Sequence, residues 1–240
     1  MRLVPTADAF ASNIRPAALA RLGLDYGSVK VIHSSIVYLN MAGYGSGGRY
    51  AGRPAYDDLI QAASGVPMLL QRSLGQPRYI PMAAIDRIVG SAAANALLAG
   101  LLSRALTGIG QRIEVPMFET MGQFVLSEHT QGHTFDPPTG PMGYARTLSP
   151  NRRPYETKDG FIAVLPYNDG QWRRFFTAVG KAHLLTDDPR FAGMASRPAN
   201  IYALYEMISE ELRLRETDEW LTLLEKNDIP CMRPHTPVAL

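Results

Sequence analysis

Hydrophobic positions in the first half of the chain alternate between short continuous runs and longer segments with helical spacing. The run at residues 36–41, Ile-Val-Tyr-Leu-Asn-Met, predicts a buried strand, and residues 78–82 and 111–116 predict two further extended segments. Helices are predicted around them, at residues 16–22, 56–64, 88–106 and 119–128. This alternation of strand and helix predicts an α/β layer with parallel strand pairing.

The second half of the chain begins with a segment that proline and glycine interrupt. Five prolines lie between Gly132 and Tyr155, which predicts a linker at residues 133–153 between a large domain, residues 1–132, and a small domain, residues 154–240. In the small domain the pattern predicts a hairpin at residues 155–165, followed by helices at residues 171–180, 201–215 and 217–227. A small α+β unit is therefore expected.

Composition narrows the class of protein. With 46% hydrophobic and 19% charged residues among 240, the chain is expected to bury a core, while a net charge of +2 and scattered arginines predict no nucleic-acid partner. The single cysteine, Cys231, excludes an intrachain disulfide, and His129 with His133 lacks a third ligand, so no metal site is expected. No secretory signal is recognisable and the longest apolar run, residues 92–102, is too short for a membrane span, so we expect a cytoplasmic protein without a membrane partner.

Asp86 lies where the extended segment meets the long predicted helix. A carboxylate there can accept N–H bonds from the first helical turn and is favoured by the helix dipole. The residue type and position predict an ordinary helix cap, with a nucleophile as the alternative. Asp57 and Asp58 begin another predicted helix and are interpreted in the same way as caps.

The segment at residues 43–48, Gly-Tyr-Gly-Ser-Gly-Gly, matches the spacing of a nucleotide-binding loop after a strand. In that motif the helix opens at once, so that its N-terminus meets the phosphates. Here residues 49–54 intervene, which favours a plain loop over a nucleotide cradle.

Several segments in this order resemble CoA-transferase family III, which includes formyl-CoA and carnitine CoA-transferases. They are Asn-Ile-Arg-Pro at 13–16 through Arg-Leu-Gly at 21–23, residues 53–65, Asp86 with its Ala-rich helix, residues 107–111, Asp-Gly at 159–160 and Ile-Pro-Cys at 229–231. The resemblance implies an incomplete Rossmann-like parallel-sheet domain followed by a smaller α+β domain. It also implies movement of CoA between an acyl-CoA and a carboxylic acid, with coenzyme A entering as the acyl-CoA substrate.

Site residues follow from the same resemblance, position by position. Asp86 matches the nucleophile that forms an aspartyl anhydride and then an aspartyl thioester. The positions implied to bind the CoA or to lie beside its chain are Asn13, Ile14, Arg21, Tyr56 and Met117. Of these, Arg21 is the expected phosphate contact, because a guanidinium offers a fork of donors.

Two alternatives remain open at this point. α-Methylacyl-CoA racemases belong to the same family and use a His-Asp pair where this chain has Tyr56 and Asp57, and a tyrosine of ordinary pKa is a poor base at neutral pH. The family pattern also extends beyond both ends of this sequence, which suggests a non-catalytic fragment or a subunit whose CoA site another chain completes. The resemblance accordingly implies a homodimer or a complementing chain as partner.

Overall fold

The computed structural model describes residues 1–193 and 196–239. It divides into two compact units, one of Met1–Gln71 with Gln76–Met142 and the other of Arg72–Gly75 with Gly143–Leu240. The expected domain boundaries themselves stay a prediction.

Three parallel strands form the centre of the first unit. The strands are β1 (Ala9–Ser12), β2 (Val37–Ala42) and β3 (Gln111–Pro116), in the spatial order β1-β2-β3. Leu39 is level with Ala11 on one side and with Ile113 on the other. The helices are α1 (Pro16–Arg21), α2 (Tyr26–Ile32), α3 (Asp57–Ala63), α4 (Val66–Leu74), α5 (Ala84–Thr107) and α6 (Met117–His129).

Both faces of the central strand β2 are covered, which is why its sequence shows no polar alternation. Leu39 packs with Ile60, Ile85 and Val89 from α3 and α5. Tyr38 points to the opposite face and packs with a second cluster that includes Val29 of α2. The pattern at residues 36–41 is therefore that of a strand buried on two sides.

Helix α5 is the long element that carries Asp86. Within the described residues it is the one helix whose length and composition would suffice to cross a membrane, and it is longer than the apolar run on which the sequence expectation rested. It packs against β2 and β3, and a Cβ added at Gly100 would lie 2.9 Å from Val37 Cγ1. One face of α5 therefore packs closely on the sheet.

The second unit is a small α+β fold. Antiparallel strands β4 (Tyr155–Glu156), β5 (Phe161–Val164) and β6 (Cys231–Met232) form its sheet, in the order β4-β5-β6. The helices are α7 (Asp169–Ala178), α8 (Leu184–Asp187), α9 (Ile201–Leu212) and α10 (Thr217–Lys226). Its core centres on fully buried Phe175, Phe176 and Trp220, whose indole N–H donates to Leu212 O at 2.8 Å. The prediction of a parallel α/β sheet followed by a smaller α+β region is confirmed.

Two local predictions were wrong. Residues 78–82 form no strand, and α5 begins at Ala84 rather than at residue 88. Both errors lie in the segment that leads to Asp86. The contacts of Asp86 explain why α5 begins earlier than predicted.

Candidate active site

The three parallel strands end at one edge of their sheet, and expected site residues follow two of these ends. Asn13 and Ile14 come directly after β1, Gly43 follows β2, and Met117 follows β3. Ligands of open parallel sheets bind at this edge, where the loops after the strands converge. Segments far apart in sequence thus reach one location.

Asp86 lies inside the first turn of α5, two residues after its first residue. The expectation that its side chain caps the helix was wrong. The N-cap is Ala83, which has no side chain able to accept a bond, and the N–H of Asp86 donates instead to Asp57 Oδ2 at 3.0 Å. Within the described part of the chain, no hydrogen bond or ion pair reaches the Asp86 carboxylate. Asp86 is exposed, at the N-terminal end of a long helix.

A cavity of about 550 Å³ opens beside this carboxylate. Four of the six expected site residues line it, namely Asn13, Tyr56, Asp86 and Met117. Tyr56 is 76% exposed, so its ring stands free at the cavity wall. The cavity is large enough to admit part of a ligand the size of an acyl chain with its thioester.

Arg21 lines a second cavity, of about 490 Å³. Its wall shares Arg15, Ala42, Gly43 and Arg53 with the wall of the first cavity. The two spaces are therefore neighbours, and one elongated ligand can be in contact with both. Ile14 lines neither of them: it is 43% exposed, and its carbonyl accepts a bond from Asn40 Nδ2 at 3.3 Å.

The glycine-rich loop at residues 43–48 is held by two carboxylates. Glu119 Oε1 accepts the N–H of Gly45 at 2.9 Å, and Glu114 accepts both the N–H of Ser46 at 2.8 Å and its hydroxyl at 2.7 Å. The N–H groups of Gly45 and Ser46 are therefore already bonded to carboxylates and do not form a free row of donors for a phosphate. The preference for a plain loop over a nucleotide cradle agrees with these contacts.

Two arginines and one aspartate of the first cavity were not among the expected site residues. Arg15 and Arg53 line the wall, and the Arg53 guanidinium stacks on Tyr50 with 4.7 Å between its carbon and the ring centroid. Hydrogen bonding to the Arg49 guanidinium lowers the pKa of Tyr50.

Asp57, which the sequence assigned to capping its own helix, lines the cavity too. Asp57 and Gln61 are four residues apart on one face of α3, and this spacing was the sequence signal that the two side chains contact each other.

Known proteins of one family match almost the whole of this chain. The family model of CoA-transferase family III matches residues 1–239. The chain belongs to CoA-transferase family III. It is 31% identical, over 95% of its length, to the succinate–glutarate CoA-transferase of Agrobacterium fabrum and 28% identical, over 96%, to the acetyl-CoA:oxalate CoA-transferase of Acetobacter aceti. A crystal structure of a CAIB/BAIF family protein from Brucella suis covers 99% of the chain with a TM-score of 0.75 and 31% identity.

The chain is shorter than these family III proteins. It covers 57% of the A. fabrum protein, 59% of the A. aceti protein and 62% of the B. suis chain. The family and the fold are shared over this portion.

Proposed function

We propose that this family III chain carries out CoA transfer between an acyl-CoA and a carboxylic acid, with Asp86 as the nucleophile. The observation that carries the proposal is the Asp86 carboxylate, which lines the first cavity together with Asn13, Tyr56 and Met117 and is exposed on its wall. A carboxylate can serve as attacking group and, once acylated, as leaving group, so one difficult exchange is split into easier steps.

The proposed reaction begins when an Asp86 oxygen attacks the thioester carbonyl carbon of the acyl-CoA. The C–S bond breaks, CoA leaves as the thiolate, and an aspartyl acyl anhydride remains. The thiolate then attacks the Asp86 carbonyl carbon, which releases the donor carboxylate and leaves an aspartyl-CoA thioester. The acceptor carboxylate repeats the two steps in reverse order and leaves as the new acyl-CoA, with Asp86 regenerated.

Arg21 is proposed to contact a phosphate of the CoA from the second cavity, while the acyl end lies beside Asp86. The shared residues of the two walls support this division, since the CoA portion is long and anionic and the acyl portion is short. Asn13, Tyr56 and Met117 are proposed to line the path between the phosphates and the nucleophile. Ile14 is proposed to contact the CoA from the loop after β1.

A dicarboxylic acid is the proposed class of acceptor. Two relatives are named for succinate, glutarate or oxalate, all of which are dicarboxylates. In this chain Arg15 and Arg53 line the same cavity as Asp86, and we propose that one of these two arginines binds the second carboxylate of the acceptor.

The test is a transfer assay with succinyl-CoA as donor and glutarate, oxalate or butyrate as acceptor, in which new thioesters are followed by mass spectrometry. We expect transfer to glutarate or oxalate by the wild-type chain and a loss of at least about 1000-fold in Asp86→Asn. Asp58→Asn is the matched control, because Asp58 is exposed one residue after Asp57 and lines neither cavity. Equal rates for Asp86→Asn and the wild type would contradict the proposal, as would a wild-type chain that is inactive where a full-length relative is active.

A further inference from the structure

Helices α3 and α5 are joined beside the first cavity by a chain of three hydrogen bonds. Asp57 Oδ2 accepts the backbone N–H of Asp86 at 3.0 Å, and Asp57 Oδ1 accepts from Gln61 Nε2 at 2.7 Å. Gln61, whose exposed fraction is 0%, accepts the backbone N–H of Ile80 on its oxygen at 2.9 Å. Both ends of the segment from Ile80 to Asp86 are thereby tied to α3.

The direction of these bonds follows from the groups at the two ends. Each end is a backbone N–H, which can only donate. Gln61 must turn its oxygen to Ile80 and hence its amino group to Asp57. Asp57 must then accept on both oxygens, which an ionised carboxylate does and an asparagine amide does not.

The bond to Asp86 also supplies what α5 lacks at its own N-terminus. The first N–H groups of a helix have no partner within the helix, and Ala83 offers no side-chain acceptor. Asp57 provides that acceptor from another helix, at the residue whose carboxylate lines the cavity. The backbone from which the Asp86 side chain projects is therefore fixed by Asp57.

We propose that Asp57 is a positioning residue for Asp86, held as a double acceptor by Gln61. The proposal rests on the proposed function of Asp86, and it assigns to Asp57 no contact with the reacting atoms. The Asp57 carboxylate sets the direction from which the Asp86 carboxylate approaches the thioester, and a displacement of about 1 Å in such a group costs on the order of 100-fold in rate.

The test relocates the charge along the hydrogen-bond chain. In Asp57→Asn the new side-chain amino group opposes the amino group of Gln61, or the bond to Asp86 is lost. The double variant Asp57→Asn with Gln61→Glu restores every bond. Its new amide accepts from the Asp86 N–H on the oxygen and donates through its amino group to the new carboxylate, which in turn accepts from the Ile80 N–H. Asp58→Asn removes a neighbouring charge on the same helix without touching the chain of bonds.

Two measurements are made on each variant after a thermal melt has verified folding. For Asp57→Asn we expect kcat to fall about 10- to 100-fold with KM for acyl-CoA within about twofold. Hydrogen exchange at the Asp86 amide should rise about tenfold. The double variant should recover both values towards the wild type, and Asp58→Asn should resemble the wild type in both.

Three results would overturn the proposal. Asp57→Asn could match Asp58→Asn in exchange and in kcat, or it could lose kcat with unchanged exchange. A folded double variant could also restore exchange without restoring kcat, which would place Asp57 in contact with the substrate. Gln61→Glu introduces a buried charge that could unfold the double variant. In that case the comparison of Asp57→Asn with Asp58→Asn is sufficient to decide whether the proposal holds. A wild-type chain without any transfer would refute the proposed function, and amide exchange would still decide whether Asp57 fixes the Asp86 backbone.

Discussion

Asp57 and Asp86 lie on the wall of one cavity, and the carboxylate of the first accepts the backbone N–H of the second at 3.0 Å. Their roles are therefore unequal although both are carboxylates. Asp57 is occupied on both oxygens, whereas the Asp86 carboxylate faces the cavity without a protein partner among the described residues. This difference supports the proposed roles, in which Asp57 positions the site and Asp86 reacts in it.

Arg21 is expected to act on binding and not on the chemical step. We predict that Arg21→Ala raises KM for acyl-CoA about tenfold with kcat unchanged, because a charge-assisted bond to phosphate is lost far from the thioester. Steady-state kinetics measures both constants, and the exposed Arg2→Ala variant is the control. The difference in KM between Arg21→Ala and the wild type should shrink at high salt, since exposed charges are screened. A fall in kcat with unchanged KM would contradict the assignment.

Gly110 allows the start of β3 to approach the start of β2. A Cβ at this position would lie 2.5 Å from the carbonyl oxygen of Ile36 and 2.6 Å from that of Ser35, which are backbone atoms directly before β2 and cannot move aside as a flexible side chain would. We predict that Gly110→Ala lowers the free energy of unfolding by about 2 kcal/mol or more. Gly47→Ala is the control, because nothing lies within 4 Å of its added Cβ. Urea denaturation measures both, and equal stabilities would contradict the packing described for the sheet.

Sequence patterns predicted the central strands because their signal is local. Strand β3 was predicted with its observed bounds and β2 within one residue, since both contain β-branched or large apolar side chains. Strand β1, Ala-Phe-Ala-Ser, has only four residues, three of them small, and it is specified by its pairing with β2. Pairing partners distant in sequence leave no local pattern.

The start of α5, beside the candidate site, also could not be predicted from the local sequence. Aspartate is a preferred N-cap, so the local pattern placed the helix after Asp86. The structure starts it at Ala84, because the acceptor for the first turn comes from Asp57 on another helix. The resemblance to the family identified Asp86 and Arg21, whose places on cavity walls fit the proposed roles, but Asp57, Arg15 and Arg53 required the structure.

Asp159 makes the stability of the second unit depend on pH. Hydrogen bonds from the side chain and the backbone N–H of Thr217, both at 2.7 Å, lower the pKa of Asp159. A lowered folded-state pKa stabilises the fold above the unfolded value of about 3.9, and that stabilisation is lost as pH falls through the folded value.

We therefore predict that Asp159→Asn is less stable than the wild type at neutral pH and that the difference disappears in acid. Denaturation curves of both proteins between about pH 7 and about pH 2 measure it, because the folded-state pKa lies below the unfolded value. The neighbouring Lys158→Ala variant is the control for a change in the same turn. A difference that stays constant over this range would show that the charge of Asp159 contributes nothing.

Covalent trapping at Asp86 tests the central claim most directly. The protein is incubated with succinyl-CoA, quenched with hydroxylamine and digested, and the peptide that contains Asp86 is analysed by mass spectrometry. The account predicts a hydroxamate at Asp86 that requires the acyl-CoA and is absent from Asp86→Asn. An unmodified Asp86, under conditions that modify the matching aspartate of a full-length relative, would contradict it.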